Sequence, residues 1–356
     1  MFSILTINPG STSTKIALYT AKAGNKVTET FSENIAHDSA ITSKFKNPID
    51  QLEFRMQAIK DVLQKNNINK LDCIVGRGGL SKPITAGSYA INDDLIKDLS
   101  NNTYGSHASN LGAIIATQLG KIFNCPAMIV DPVSVDELEP LARYSGLPSI
   151  KRVGRAHTLN IRAVARKYAA DINSTMDKLN LIVVHMGGGI SIAPLRNGKI
   201  IDVSDALSGG PFSPQRTGSL PVLQLIKLCF SGKYNDADSL IYEVTNKAGL
   251  LAYIGTDDGR VIAKRIEEGD KKTTEVFMAM AYQIAKEIGA MATVLNGKID
   301  AILLTGGLAR PILSDWIEER VGWIAPVKLY TGEFEQEALA EGGARYLFKQ
   351  EQLKEY

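Results

Sequence analysis

The sequence predicts an α/β protein of two domains in which one β-rich opening is used twice. Three observations carry this. The chain has 356 residues, long for a single core and suited to two. The stretch "FSILTINPGSTSTKIALYT" reads as strand, Gly turn, strand, and "LIVVHMGGGISIAPLRNGKIIDVSDA", from Leu181, repeats that scheme. Short apolar runs then alternate with helical patterns along the whole chain, as in α/β folds.

The elements follow in order. After the first hairpin, "DCIVGRGG" from Asp72 and "AMIVDP" from Ala127 are short, apolar and closed by glycine or acid. Such runs fit strands covered on both faces. Between them "HASNLGAIIATQLGKIF" reads as a helix opened by His107. The irregular stretch from Val135 to His157 suits a domain change, giving a first domain over 1–150 and a second over 151–329. The final segment, 330–356, is expected to return to the first domain, as the family resemblance given below implies. In the second domain, Asn197-Gly198 between apolar runs is a hairpin signal that adds a third strand. "TTEVFMAMAYQIAKEIGAMATVL", from Thr273, is apolar on most faces and is expected between the sheet and other elements. "DAILLTGG" from Asp300 is another buried strand.

Composition narrows the function. Hydrophobic residues make up 44% and charged residues 22%, with 40 basic against 38 acidic side chains and a net charge of +2. This balance favours neither nucleic acid nor an anionic membrane as partner. Cys73, Cys125 and Cys229 are scattered and form no C-x-x-C pair, which argues against a zinc cluster or a disulfide framework. The opening "MFSILTINPG" has no basic region and breaks at Asn8-Pro9-Gly10, unlike a signal peptide. No apolar run approaches the ~18 residues of a spanning helix. A soluble cytoplasmic protein is expected.

Glycine-rich loops after strands are the chemical signal. Asn8 to Lys15 combines a tight turn, hydroxyls at Ser11 and Ser13, and one lysine. It is either a polar hairpin tip or a phosphate cradle. It is not a P-loop, because the second glycine and the following helix are missing. His185 to Gly189, with Gly187, Gly188 and Gly189, and Thr305 to Arg310, with Gly306 and Gly307, also follow buried strands. None contains G-x-G-x-x-G, so a dinucleotide site is disfavoured, while three such loops together favour a nucleotide. Asp131 at a strand end is either a capping residue or a magnesium ligand. Asp258 and Arg260 either pair with each other or reach a ligand. Arg216, in "SPQRTGSLP", is either solvated or a clamp on a transferring phosphoryl group. The four histidines, His37, His107, His157 and His185, lack zinc spacing. Glu333, Glu335, Glu337 and Glu341 crowd an acidic first helical turn or a magnesium shell.

In order along nearly the whole chain, "INPGSTSTK", "VGRGG", "HASNLG", "IVDPVSVDEL", "HMGGGIS", "PFSPQRTGSLPV", "KLCFSGKY", "EIGAM" and "LTGGLA" resemble the acetate and butyrate kinase (acetokinase) family, its butyrate kinase branch above all. The resemblance implies two duplicated ribonuclease-H-like βββαβαβα domains, the plan of the sugar kinase, Hsc70 and actin superfamily, with ATP in a cleft between them. It implies transfer of a phosphoryl group from ATP, with Mg2+, to a short aliphatic carboxylate, giving an acyl phosphate and ADP, and the reverse. Acetate, propionate and isobutyrate are the alternative acids, and a non-catalytic ATP-binding regulator the alternative role. By resemblance, Asn8, Ser11, Ser13 and Lys15 face phosphates and magnesium. His185 and Gly187 to Gly189 form a second phosphate loop, while Asp258, Arg260, Gly306 and Gly307 flank the adenosine. Asp131 and Glu335 (or Glu337) serve magnesium, and Arg216, His157 and His107 are catalytic. Two departures concern the acid. Ile74 stands where acetate kinases have an arginine, so Arg77 is expected to bind the substrate carboxylate. Ala156 stands where the family commonly has phenylalanine, which enlarges the acyl pocket. A homo-oligomer, dimer or higher, is implied as well.

Overall fold

The computed structural model describes residues 1–22, 26–207 and 209–356, Ser39 by its backbone alone. The chain divides into two units, Met1–Asp136 with Phe334–Tyr356, and Glu137–Glu333.

In the first unit, β1 (Phe2–Pro9) and β2 (Ser13–Ala21) pair antiparallel across the glycine turn, with Asn8 opposite Lys15. β3 (Val27–Ala36) extends the meander. After α1 (Ser39–Thr42) and α2 (Leu52–Lys65), β4 (Cys73–Arg77) enters parallel to β1. β5 (Ser88–Ala90), α3 (Asp93–Ser100) and α4 (Asn110–Phe123) lead to β6 (Ala127–Val130). The sheet order is β3-β2-β1-β4-β6-β5. Leu5, Ile7, Ile16 and Ile74 meet Met56 and Ile59 of α2 and Leu111, Ile115 and Leu119 of α4. A strand buried in this way has apolar residues on both sides of its pleat, hence continuous runs rather than alternation.

The second unit repeats the plan. α5 (Thr158–Asp171) precedes β7 (Asn180–Met186), β8 (Ile190–Arg196) and the two-residue β9 (Lys199–Ile200). The β8–β9 turn is Asn197-Gly198, both at positive φ, as the Asn-Gly signal implies. Then come α6 (Val222–Cys229), α7 (Ala237–Asn246), α8 (Gly249–Ile254), α9 (Gly259–Glu267), α10 (Lys271–Val294), β10 (Ala301–Gly306), α11 (Leu313–Val321) and β11 (Val327–Thr331). The order β11-β10-β7-β8-β9 matches β6-β4-β1-β2-β3, with the same senses of pairing. The fold expected from the sequence, one βββ opening followed by two parallel strands and used twice, is the fold present. β5 is an addition to the first copy.

α12 (Glu335–Leu347) completes the first unit by packing on β1, β4 and β6. Gly342 and Gly343 allow this: a Cβ on Gly342 would stand 2.4 Å from Val130, and one on Gly343 3.0 Å from Val75.

α10 lies between the sheet and α8, α9 and α11, as expected, but it keeps one wet face: Val276, Phe277, Met280, Ala281, Ile284 and Ile288 are buried while Met278 and Tyr282 are exposed. A 3.6-residue period decides this, and methionine and tyrosine tolerate the wet face. α4 begins at Asn110, not at His107, because the His107 ring serves as an acceptor for the turn that precedes the helix.

Candidate functional site

The second unit holds a glycine turn between β7 and β8. Gly187 N–H donates to Gly189 O at 3.0 Å, which closes the turn. The loop 212–216 is tied to it, since Ser213 Oγ donates to Gly188 O at 2.7 Å. Arg216 lies against Gly189, where a Cβ would stand 2.1 Å from Arg216 Nη1. Arg216 Nη1 donates to Ala206 O at 2.6 Å, while Nε is buried without a partner among the described residues. Burial pushes this guanidinium below its ordinary pKa, and Asp205 partly opposes the shift. A buried donor left unmade is costly, so an acceptor at this spot would be bound strongly.

His157 and His185 are stacked, with ring centroids 3.9 Å apart and planes 14° off parallel. His157 Nδ1 lies 2.9 Å from Ser191 Oγ on β8. His185 Nδ1 accepts from Asn160 Nδ2 at 2.9 Å, and the same amide reaches Thr305 Oγ1 on β10 at 3.2 Å. An acceptor at Nδ1 puts the His185 proton on Nε2. His185, at the strand end that opens the glycine turn, has its ring buried and stacked on His157.

Gly306 has φ +99, and a Cβ there would lie 2.3 Å from Met186 O, so only glycine fits. Through this approach Leu308 N–H donates to Met186 O at 3.0 Å. Beyond it, Asp258, Gly259, Arg260, Phe277, Gly307, Leu308 and 310–313 line a cavity of about 300 Å³. The Asp258–Arg260 loop and the Gly306–Arg310 loop, distant in sequence, therefore share one wall. Asp258 caps α9 and pairs with Arg260 Nη2 at 2.8 Å, and that hydrogen bond holds its carboxyl down at about 2.

The first unit holds a closed triad. Asn8 Nδ2 donates to Glu335 Oε2 at 2.8 Å, and Arg77 Nη1 donates to both Asn8 Oδ1 and Glu335 Oε2 at 3.0 Å. Glu335 is thus engaged by a guanidinium. Glu337 lies instead toward Tyr19, whose phenol is pushed up by burial and Glu29 with Glu337 adding to it. Gln336 Nε2 donates to Lys15 O at 2.9 Å, tying α12 to the hairpin. Ser11 and Lys15 are exposed and Ser13 is half-buried. Asp131 is buried at φ +40 and accepts from Gly87 N–H at 2.8 Å, a strained backbone of the kind found at functional sites. His107 Nδ1 accepts from Ser109 N–H at 3.1 Å, which places its proton on Nε2. Ala156 is buried beside His157.

Magnesium takes six oxygens, often one or two carboxylates plus phosphate. Among the described residues no three His, Cys, Asp or Glu side chains converge on one point.

A family model described as "Acetokinase family" matches residues 143–319. Over that segment, just under half of the chain, the sequence is similar to the acetokinase family. His157, His185, the 187–189 turn, Arg216, Asp258, Arg260, Gly306 and Gly307 all fall inside it. The fold is similar to that of an acetate kinase from Porphyromonas gingivalis, at 18% identity and a TM-score of 0.74 over 98% of this chain and 100% of that one. It is also similar to a propionate kinase from Francisella tularensis, at 20% identity and a TM-score of 0.72 over 96% and 99%. An acetate kinase from Entamoeba histolytica, at 17% identity, has a TM-score of 0.72 over 98% and 100%. Among the described residues no helix is long and apolar enough to cross a membrane.

Several residues of this chain escape a reading by motif. Ser191 and Asn160 orient the two histidines, and Gln215 Nε2 reaches Asp257 at 2.7 Å to join the Arg216 loop to the cavity wall. Arg55, buried beneath the hairpin, was also missed. Its one signal was a charge on the apolar stripe of α2.

Proposed function

We propose that this chain is a short-chain acyl kinase that moves the γ-phosphoryl group of MgATP to a carboxylate, butyrate above all. The observation that carries the reading is the buried, unpartnered Nε of Arg216 against the Gly187–Gly189 turn, within the acetokinase segment. A short fatty acid is ionised at neutral pH, as carboxyl groups are, and needs no base. One carboxylate oxygen attacks Pγ, the bond from Pγ to the bridging oxygen of the β-phosphate breaks, and ADP leaves with the electron pair. The acyl phosphate formed is reactive enough for the reverse transfer.

The obstacle is repulsion between two anions. Arg216 would spread over the equatorial oxygens of the transferring group, as positioned cations do in phosphoryl transfer. His157, held by Ser191 and by its stack on His185, would steady the same group, and His107 would donate from Nε2. The cavity beside Arg260 and Gly307 is the adenosine site in this reading, and Ser11, Ser13 and Lys15 face phosphate. Magnesium comes as part of the nucleotide, with Asp131 as its protein carboxylate. Arg77 uses only Nη1 for Asn8 and Glu335, so Nε and Nη2 form the fork for the substrate carboxylate.

Ala156 supports a longer acyl chain. Each methylene buried is worth about 0.8 kcal/mol, roughly fourfold in kcat/KM. We further take the working form to be an oligomer: α6 and α7 bury none of their residues, and Val222, Leu223, Ile226 and Phe230 are exposed.

The test is acyl phosphate trapped as hydroxamate with MgATP and acetate, propionate, butyrate, isobutyrate and valerate in turn. The highest kcat/KM is expected with butyrate. A maximum at acetate or propionate keeps the acyl kinase and removes the role given to Ala156. Nucleotide binding without turnover of any acid leaves a regulator of the same fold.

A further inference from the structure

Among the described residues Arg55 is the largest side chain with no exposed surface, and none of its hydrogen-bond partners is an acid. Nε and Nη2 donate to Gln51 Oε1 at 3.0 and 2.7 Å. Nη1 donates to Gly10 O, Ser13 O and Thr14 Oγ1 at 2.9, 3.1 and 3.0 Å, and Nη2 reaches Ser11 O at 3.4 Å. All of these acceptors are neutral. Buried arginines are ordinarily paired with a carboxylate, because an uncompensated charge is costly to desolvate. Here burial alone lowers the guanidinium, to about 10, so it stays charged at neutral pH.

The placement explains the hairpin tip. Carbonyls of Gly10, Ser11 and Ser13 are drawn inward onto one guanidinium. His37 N–H takes Thr12 O from below at 2.9 Å, and its ring Nε2 lies 2.8 Å from Thr14 Oγ1. With the carbonyls of residues 10–13 bound inward, the exposed Ser11 and Thr12 have N–H groups with no acceptor among the described residues. Successive outward N–H groups above a buried cation form an anion-binding concavity.

We propose that Arg55 is the positioning residue and buried counter-charge of the phosphate-binding hairpin, and that the phosphates of a nucleotide are the missing anion. It touches no substrate. It sets the direction of the tip amides and supplies a positive field that phosphate, rather than a protein carboxylate, neutralises. Gln51, which grips Nε and Nη2 together, fixes the plane of the guanidinium. The inference rests on the nucleotide-binding part of the reading above.

The experiment is MgADP affinity by calorimetry, with steady-state kinetics beside it, for the wild type, Arg55→Met and Gln51→Leu. Arg55→Met should weaken MgADP at least tenfold and raise the KM for MgATP to match. Its kcat should stay within about threefold and the KM for the acid should not move, since the hairpin holds ground state and transition state alike. Gln51→Leu keeps the charge but frees its plane, and should weaken MgADP several-fold. A purely structural arginine would lower Tm while the folded protein kept its MgADP affinity. Folded Arg55→Met that binds MgADP within twofold of wild type overturns the inference. If Arg55→Met does not fold, Gln51→Leu decides, and unchanged affinity there overturns it. A wild type that binds MgADP yet phosphorylates no acid refutes the acyl kinase and leaves this test standing. Turnover by wild type with intact binding in both variants does the reverse.

Discussion

Gly189→Ala isolates the seat of Arg216. The new methyl would stand 2.1 Å from Nη1 and 2.7 Å from Cζ, whereas unbonded carbons rest about 3.5–4.0 Å apart. The guanidinium must retreat by about 1 Å. That breaks its bond to Ala206 O, a charge-assisted contact worth about 1.5–3 kcal/mol. Loss of a donor aimed at developing charge costs about 2.7–4 kcal/mol, or 10²–10³ in kcat. We therefore expect kcat to fall roughly 100-fold, with the KM for MgATP changed less than about threefold. Fold stability should fall by no more than the about 1.5–3 kcal/mol of that contact, because Gly189 is outside the left-handed region that only glycine favours. The assay is hydroxamate formation at saturating substrates, with thermal denaturation alongside. Gly188→Ala is the control, since its methyl would meet nothing nearer than Gln215 Oε1 at 3.4 Å. If Gly189→Ala retains kcat within threefold, or both variants lose it equally, Arg216 does not act from this seat.

Two further outcomes follow from the first unit. His37 is lowered to about 4 by burial and by Arg55, so between about 4 and its ordinary value near 6.5 the unfolded chain binds a proton that the folded chain does not. Its contribution is complete above about 6.5 and is lost as pH falls toward 4, a change of order 1–2 kcal/mol after allowing for partial solvation. Denaturant melts of wild type and His37→Gln across that window should converge at the acid end, and parallel curves would remove the effect. Glu335→Gln keeps an acceptor for Asn8 but leaves Arg77 without its charge partner, which is mostly buried. We expect about 1–2 kcal/mol lower stability and a raised KM for the acid as Arg77 shifts. An unchanged acid KM would separate Arg77 from the substrate.

The parts legible in the sequence share a physical cause. β4, β6 and β10 could be read because strands covered on both faces are short continuous apolar runs. The β8–β9 hairpin could be read because its turn holds Asn197 and Gly198 at positive φ. The facing of α10 could not, since methionine and tyrosine serve a core and a wet surface equally. The start of α4 was misplaced because a histidine acting as a backbone acceptor leaves no mark in composition.

By itself, the sequence determined two copies of one α/β plan and three glycine loops at strand ends, because local periodicity and backbone sterics act within a few residues. Partnership was decided only by the tertiary structure. Glu335 meets Asn8 across 327 positions and Arg77 across 258, and His157 finds His185 by stacking. Arg55 reads as one more solvated cation on a helix until the hairpin closes over it. Hydrogen bonds and ion pairs act over about 3 Å, and which groups come that close is set by how the strands and helices pack, not by their order in the chain.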